Sequence, residues 1–148
     1  QNQTLANNIV EKGGVLLSEY FVNQGPLANY FVERDRIQAG LSLGVIVIET
    51  DIKGGTMHTV KFCLDNNRIL ASVNFPAEYL KESKRQGNQL LIKEGKAIPI
   101  YNKDEVENLL KQLQSAYNSI GQEVEHKELL NGKQEKNLHK NNIQTEMF

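Results

Sequence analysis

Four short apolar runs punctuate the chain: VLLSEY (15–20), VIVIE (45–49), ILASV (69–73) and AIPIY (97–101). Their length and β-branched content predict buried strands, and continuous rather than alternating apolar character suits a parallel sheet covered on both faces. Pro99 moves the last run to a sheet edge, because it has no N–H for the ladder. Between the runs the spacing turns helical. Leu5 and Ile9 share a face over 4–12, with Gly13-Gly14 as the stop. Ile37 and Leu41 do so over 34–41, and Met57, Val60 and Leu64 over 56–66, with Asn66-Asn67 ending that helix. The best-marked helix carries Val106, Leu109, Leu110, Leu113 and Tyr117, opened by a capping box of Asn102 and Glu105. Residues 23–29 read as a loop, and 75–89 as a loop or broken short helix. Strand and helix alternating in this way mean an α/β layer with right-handed crossovers. About four strands are expected, and one sheet edge stands exposed unless something pairs with it.

Length and charge narrow the picture. The 148 residues suit one domain over 1–120, followed by a polar tail over 121–148 that is helical or partly disordered. The tail's alternative reading is a segment that docks on a partner through Leu129, Leu130, Ile143, Met147 and Phe148. A formal charge of −1 gives no bulk attraction to nucleic acid or anionic lipid, so a polyanion needs a local patch. The single Cys63 excludes an internal disulfide framework and suits the cytoplasm. No apolar run reaches membrane-spanning length, and QNQTLANN is unlike a signal peptide. A chain that starts with Gln is expected to be a fragment or a processed product.

The strongest chemical candidate is Gly54-Gly55-Thr56, which follows the carboxyl end of a strand and opens a helix. Such a turn offers free backbone N–H groups and the positive end of a helix dipole, a setting for phosphate. Lys53, Arg34 and Arg36 lie close in sequence and add charge. The plain alternative is a structural turn in which glycine meets unusual dihedrals and Thr56 caps the helix. Arg34 and Arg36 stand two apart, so on a regular helix they point different ways and only one serves a given phosphate; Arg34 is the favoured one. Lys81, Lys84 and Arg85 form a second basic cluster on the 75–89 loop, a path for a nucleic-acid backbone or simply an exposed run. Tyr30 and Phe31 can stack a base or serve as core. His58, His126 and His139 are scattered, and neither a metal cluster nor a nucleophile–base–acid set can be assembled.

These motifs occur in an order that resembles the DNA-processing protein A (DprA/Smf) family. The matching elements are SEY (18–20), F-x-x-R-x-R-I-x-A-G-L-S (31–42), VIVIE (45–49), G-G-T-M-x-T (54–59) and G-x-Q-x-L-I-x-x-G (87–95). The resemblance covers about residues 1–110. It implies a Rossmann-like, mostly parallel sheet with flanking helices, apparently lacking the first part of the family domain. It also implies binding of single-stranded DNA without sequence preference, dimerisation and a RecA-type recombinase as partner. No cofactor is expected, and no catalysis, since no catalytic constellation is found. Arg34 and Arg36 stand at the arginines of the family's Arg-Asn-Arg motif, with Asp35 in place of the asparagine. Gly55 and Thr56 stand in its Ser-Gly-Ser/Thr turn, with Gly54 in place of the leading serine, and Gly87 and Gly95 match its later glycines. The family's Pro-Gly appears here as Asn74-Phe75-Pro76. Two alternatives remain open. One is a nucleotide-binding sensor or nucleotide-processing enzyme of the related phosphoribohydrolase group, although Thr59 stands where that group's signature has a carboxylate. The other is a structural partner subunit.

Overall fold

Residues 2–21 and 23–122 are described in the computed structural model of the chain. The apolar runs that begin near 45, 69 and 97 become strands β1 (Gly44–Val47), β2 (Ile69–Val73) and β3 (Ile98–Ile100). They form a parallel sheet in the order β1-β2-β3, which leaves the proline-bearing β3 at one edge and β1 at the other. Helix α1 spans Gln3–Glu11, α2 Ala28–Leu41, α3 Thr56–Asp65 and α4 Ser83–Lys93, with a short 3-10 turn at Ala77–Tyr79. Residues 103–122 are helical and are called α5 here. The described residues fall into two compact units, 1–30 and 31 onward, and everything that concerns the sheet belongs to the second.

Each face of the sheet has its own core. On one, Val47 and Leu70 pack with Val60 and Cys63 of α3, Leu91 of α4, Ala39 of α2 and Ala97. On the other, Ala71 and Ile100 pack with Leu109 of α5, joined by Val106 and Leu113. The capping box at the start of α5 forms as the spacing predicts. Glu105 accepts from the backbone of Tyr101 (2.9 Å) and Asn102 (2.8 Å), while Asn102 accepts from Asp104 N–H (2.8 Å). Gly44 admits the close approach of β1 and β2: a Cβ there would lie 2.6 Å from the Ile69 carbonyl oxygen and 2.9 Å from Leu113. Arg68, at the start of β2, donates to the Gly40 carbonyl at 2.8 Å and so anchors the end of α2.

Several expectations need correction. The VLLSEY run is not a strand: among the described residues it joins no sheet ladder, and Val15 is 82% exposed. Among the described residues three strands stand in place of about four. VIVIE is not covered on both faces, since Ile46 is 43% and Ile48 63% exposed on the open-edge strand. Helix α2 begins six residues before the expected start at Arg34 (34 minus 28). The 75–89 segment is largely helical, because Ser83 to Lys93 forms one continuous element behind the 3-10 turn. On α5 the expected apolar face is divided: Val106, Leu109 and Leu113 meet the sheet, whereas Leu110 and Tyr117 are exposed. The tail from residue 123 onward, including its five apolar candidates, lies outside the described residues.

Truncating Leu109 to Ala should cost about 2–5 kcal/mol in chemical denaturation, because this side chain is the buried contact of α5 with β2 and β3. A loss below about 0.5 kcal/mol, the range of an exposed position, would show that α5 does not cover that face.

Candidate anion site at the carboxyl edge of the sheet

The β1–β2 ladder ends at the register pair of Val47 with Ser72. The Asn88 side chain of α4 takes up backbone groups at and beyond that end. Its amide nitrogen donates to the carbonyls of Val47 (3.2 Å), Ile48 (3.0 Å) and Val73 (3.2 Å), and its oxygen accepts from Thr50 N–H at 2.8 Å. Gly87, one residue earlier, donates its own N–H to the Thr50 carbonyl at 3.0 Å. Thr50 is therefore held from both sides and is buried.

The Gly54-Gly55-Thr56 turn grows from this anchor. Thr50 Oγ1 donates to the Asp51 carbonyl (3.1 Å), which also accepts from Gly54 N–H (3.3 Å), and the Asp51 carboxylate accepts from Lys53 N–H (3.2 Å). Gly54 is closely packed: a Cβ would come within 2.8 Å of Thr50 Oγ1 and 3.0 Å of the Asp51 carboxylate, so these side chains would have to shift. Gly55 is different. Its φ of −54° and ψ of −34° are ordinary helical values, and a Cβ would meet nothing within 4 Å. Neither of the structural reasons expected for this turn applies at its tip: Gly55 needs no unusual dihedral, and Thr56 makes no side-chain cap. What remains is bare, exposed backbone at the positive end of α3.

The charged candidates divide clearly. Lys53 is exposed beside the turn. Arg34 and Arg36 lie on α2; Arg34 stacks over Phe31 at 5.4 Å and pairs with Asp35 at 3.4 Å, with side chains 53% and 15% exposed respectively. Lys84 and Arg85 are on the first turn of α4 rather than on a loop, with Lys81 just before it. Arg85 is already engaged. Its guanidinium lies 4.7 Å from the rings of both Phe75 and Tyr79 and pairs with Glu49 (3.2 Å) and Glu82 (3.0 Å). Cys63 is a core residue, its thiol pushed up chiefly by burial, against the opposing pull of a Val45 backbone hydrogen bond and the Arg68 charge. A groove of about 290 Å³ runs between α3 and α4 over Met57, Val60, Leu64, Leu90 and Leu91, and none of the turn residues lines it.

Asn88 escaped the sequence reading. It stands between Gly87 and Gln89 in a motif read for its glycines, and the signal was a polar residue three before Leu91 on the buried side of α4. Of those glycines, Gly87 is required by close approach, with a Cβ 2.6 Å from the Asp51 carbonyl oxygen. Gly95 ends α4 in the left-handed region at φ 66°.

A parallel sheet with helices on its faces and a glycine turn at its carboxyl edge defines a Rossmann-like α/β protein, the class in which ligands bind outside the carboxyl ends of the strands. The family described as DNA recombination-mediator protein A matches residues 1–113, and the chain belongs to that family. It is similar to Protein Smf of Escherichia coli, 33% identical over 105 residues that make up 71% of this chain and 27% of that protein. It is also similar to DNA processing protein DprA of Streptococcus pneumoniae, 35% identical over 81 residues, 55% of this chain and 28% of the relative. A solved structure describing the single-stranded DNA binding mode of DNA processing protein A from Helicobacter pylori superimposes with a TM-score of 0.56 at 26% identity. It covers 64% of this chain and 42% of its own. The chain thus spans less than half the length of these relatives.

The enclosure of Arg85 gives a direct expectation. Arg85→Ala should lower stability by about 1–2 kcal/mol through the lost ring and carboxylate contacts. Ligand binding by the folded protein should keep its salt dependence. A variant of unchanged stability with a shallower salt dependence would instead place Arg85 on the ligand.

Proposed function

We propose that this chain is the phosphate-contacting part of a protein that binds single-stranded DNA without sequence preference. The Gly55 and Thr56 N–H groups of the Gly54-Gly55-Thr56 turn receive a backbone phosphate, with Lys53 beside them and Arg34, then Arg36, supplying further charge from α2. The observation that carries this reading is Gly55: an exposed glycine that the fold does not need, at the start of a helix and the carboxyl edge of the sheet. Family membership and the DNA-binding relative of known structure support the choice of DNA over a small anion. The protein acts by binding, in the cytoplasm where the DNA is. No helix among the described residues is long and apolar enough to cross a membrane. Lys81 and Lys84 extend the path of the strand, and Arg85 holds their segment in place. A homodimer and a RecA-type recombinase complete the assembly, as the family resemblance implies.

Two acids oppose the site. Asp35 lies beside Arg34, and Asp51 turns its carboxylate into the loop, where it accepts from Lys53 N–H. Asp51→Asn keeps that acceptor and removes the charge, so it should tighten oligonucleotide binding a few-fold. Arg34→Ala and Lys53→Ala should each weaken binding and reduce the slope of log K against log salt by about 0.7, the contribution of one phosphate on a single strand. Fluorescence anisotropy across a salt series measures all three. Binding indifferent to salt would refute phosphate recognition. A mononucleotide that binds more tightly than an oligonucleotide would move the protein to the nucleotide-handling class.

A further inference from the structure

We infer that Asn88 is the positioning residue of the phosphate-contacting turn, fixing where the Gly55 and Thr56 N–H groups point without touching the ligand; this rests on the reading of that turn given above. The side chain is fully buried. Its orientation is unambiguous, because the Thr50 N–H must meet the amide oxygen and the three carbonyls must meet the amide nitrogen. From Asn88 a short series of contacts reaches the turn. Asn88 and Gly87 grip the two sides of the Thr50 peptide groups, Thr50 Oγ1 holds the Asp51 carbonyl, and that carbonyl receives Gly54 N–H. Gly87 allows no alternative placement, since an added Cβ would lie 2.6–2.7 Å from the Asp51 and Thr50 carbonyl oxygens.

An apolar residue of similar size would suit the helix face that carries Leu91, yet it would take this partner from the Thr50 N–H and the three carbonyls. The amide therefore does what a continued ladder would do, at the point where the ladder stops. It converts the end of β1 from a frayed segment into a fixed base for the glycine turn. Preorganised N–H groups bind an anion without first paying the ordering cost that a mobile loop incurs.

The test compares Asn88→Ser, Asn88→Asp and Leu91→Ala in the whole chain, at a temperature where circular dichroism shows each to be folded. Two readouts are taken: amide chemical shifts of residues 50–56 without ligand, and the dissociation constant for an oligothymidylate. Leu91 is a core residue on the same helix with no part in the site, and its truncation controls for lost stability. Both Asn88 variants should displace the 54–56 amides and weaken binding about tenfold or more, as loss of an outer support does elsewhere. Leu91→Ala should leave both readouts near wild type. A folded Asn88→Ser protein with unmoved 54–56 amides and wild-type affinity overturns the inference while leaving the proposed function intact. If the wild type itself binds no oligonucleotide, the proposed function falls, and the ligand-free shifts still decide the role of Asn88. If neither Asn88 variant folds, native-state hydrogen exchange of the wild type decides. Lys53 and Gly54 amides opening together with Thr50 support the inference, whereas free exchange at 53–54 beside a protected Thr50 overturns it.

Discussion

Parallel strands that stop pairing leave backbone donors and acceptors without ladder partners, and buried groups of that kind must find partners elsewhere. In this chain a single amide side chain meets the need. Asn88 reaches four backbone groups on three segments: the end of β1, the end of β2 and Thr50 just past β1. Neighbouring residues of α4 reinforce the junction. Gln89 donates to Asn74 at 2.7 Å after β2, and Arg85 spans from Glu49 after β1 to the Phe75 ring after β2. Three side chains of α4, Arg85, Asn88 and Gln89, thus tie the carboxyl edge of the sheet from which the turn rises.

Charge is balanced locally: at this edge Arg85 is matched by Glu49 and Glu82, and on α2 Arg34 is shared with Asp35. With a formal charge of −1, long-range steering contributes little, so affinity for a polyanion has to come from short contacts. That places the weight on directed N–H groups and on the few cations beside them. Arg68 donates to the Gly40 carbonyl and so anchors the end of α2, the helix that carries Arg34 and Arg36.

How much of this was legible in the sequence varied with how local the cause was. Strand β2, helix α3 and the capping box of Asn102 and Glu105 follow from runs, periods and caps spanning a few residues, and they form where the pattern puts them. The glycine turn was legible as a motif. Its physical reason was not, because whether each glycine serves sterics or exposure depends on Thr50 and Asp51 folding back over Gly54 and leaving Gly55 open. The VLLSEY run failed differently: its apolar character is that of a strand, but a strand needs a partner, and no described segment supplies one. Ile46 and Ile48 show the same limit on the open edge of β1. Helix α4 was obscured by KESKRQGN, whose polar residues look like loop until the rings of Phe75 and Tyr79 enclose Arg85 and the strand ends enclose Asn88.

The central claim is that bare backbone at the start of α3 receives a DNA phosphate. The most direct measurement is a titration of the whole chain with an oligothymidylate, followed through its backbone amide resonances. The Gly55 and Thr56 signals should move most and saturate together, and added salt should reverse the shift. Saturable binding that leaves Gly55 and Thr56 in place and perturbs the exposed residues of β1 or α5 would contradict the account.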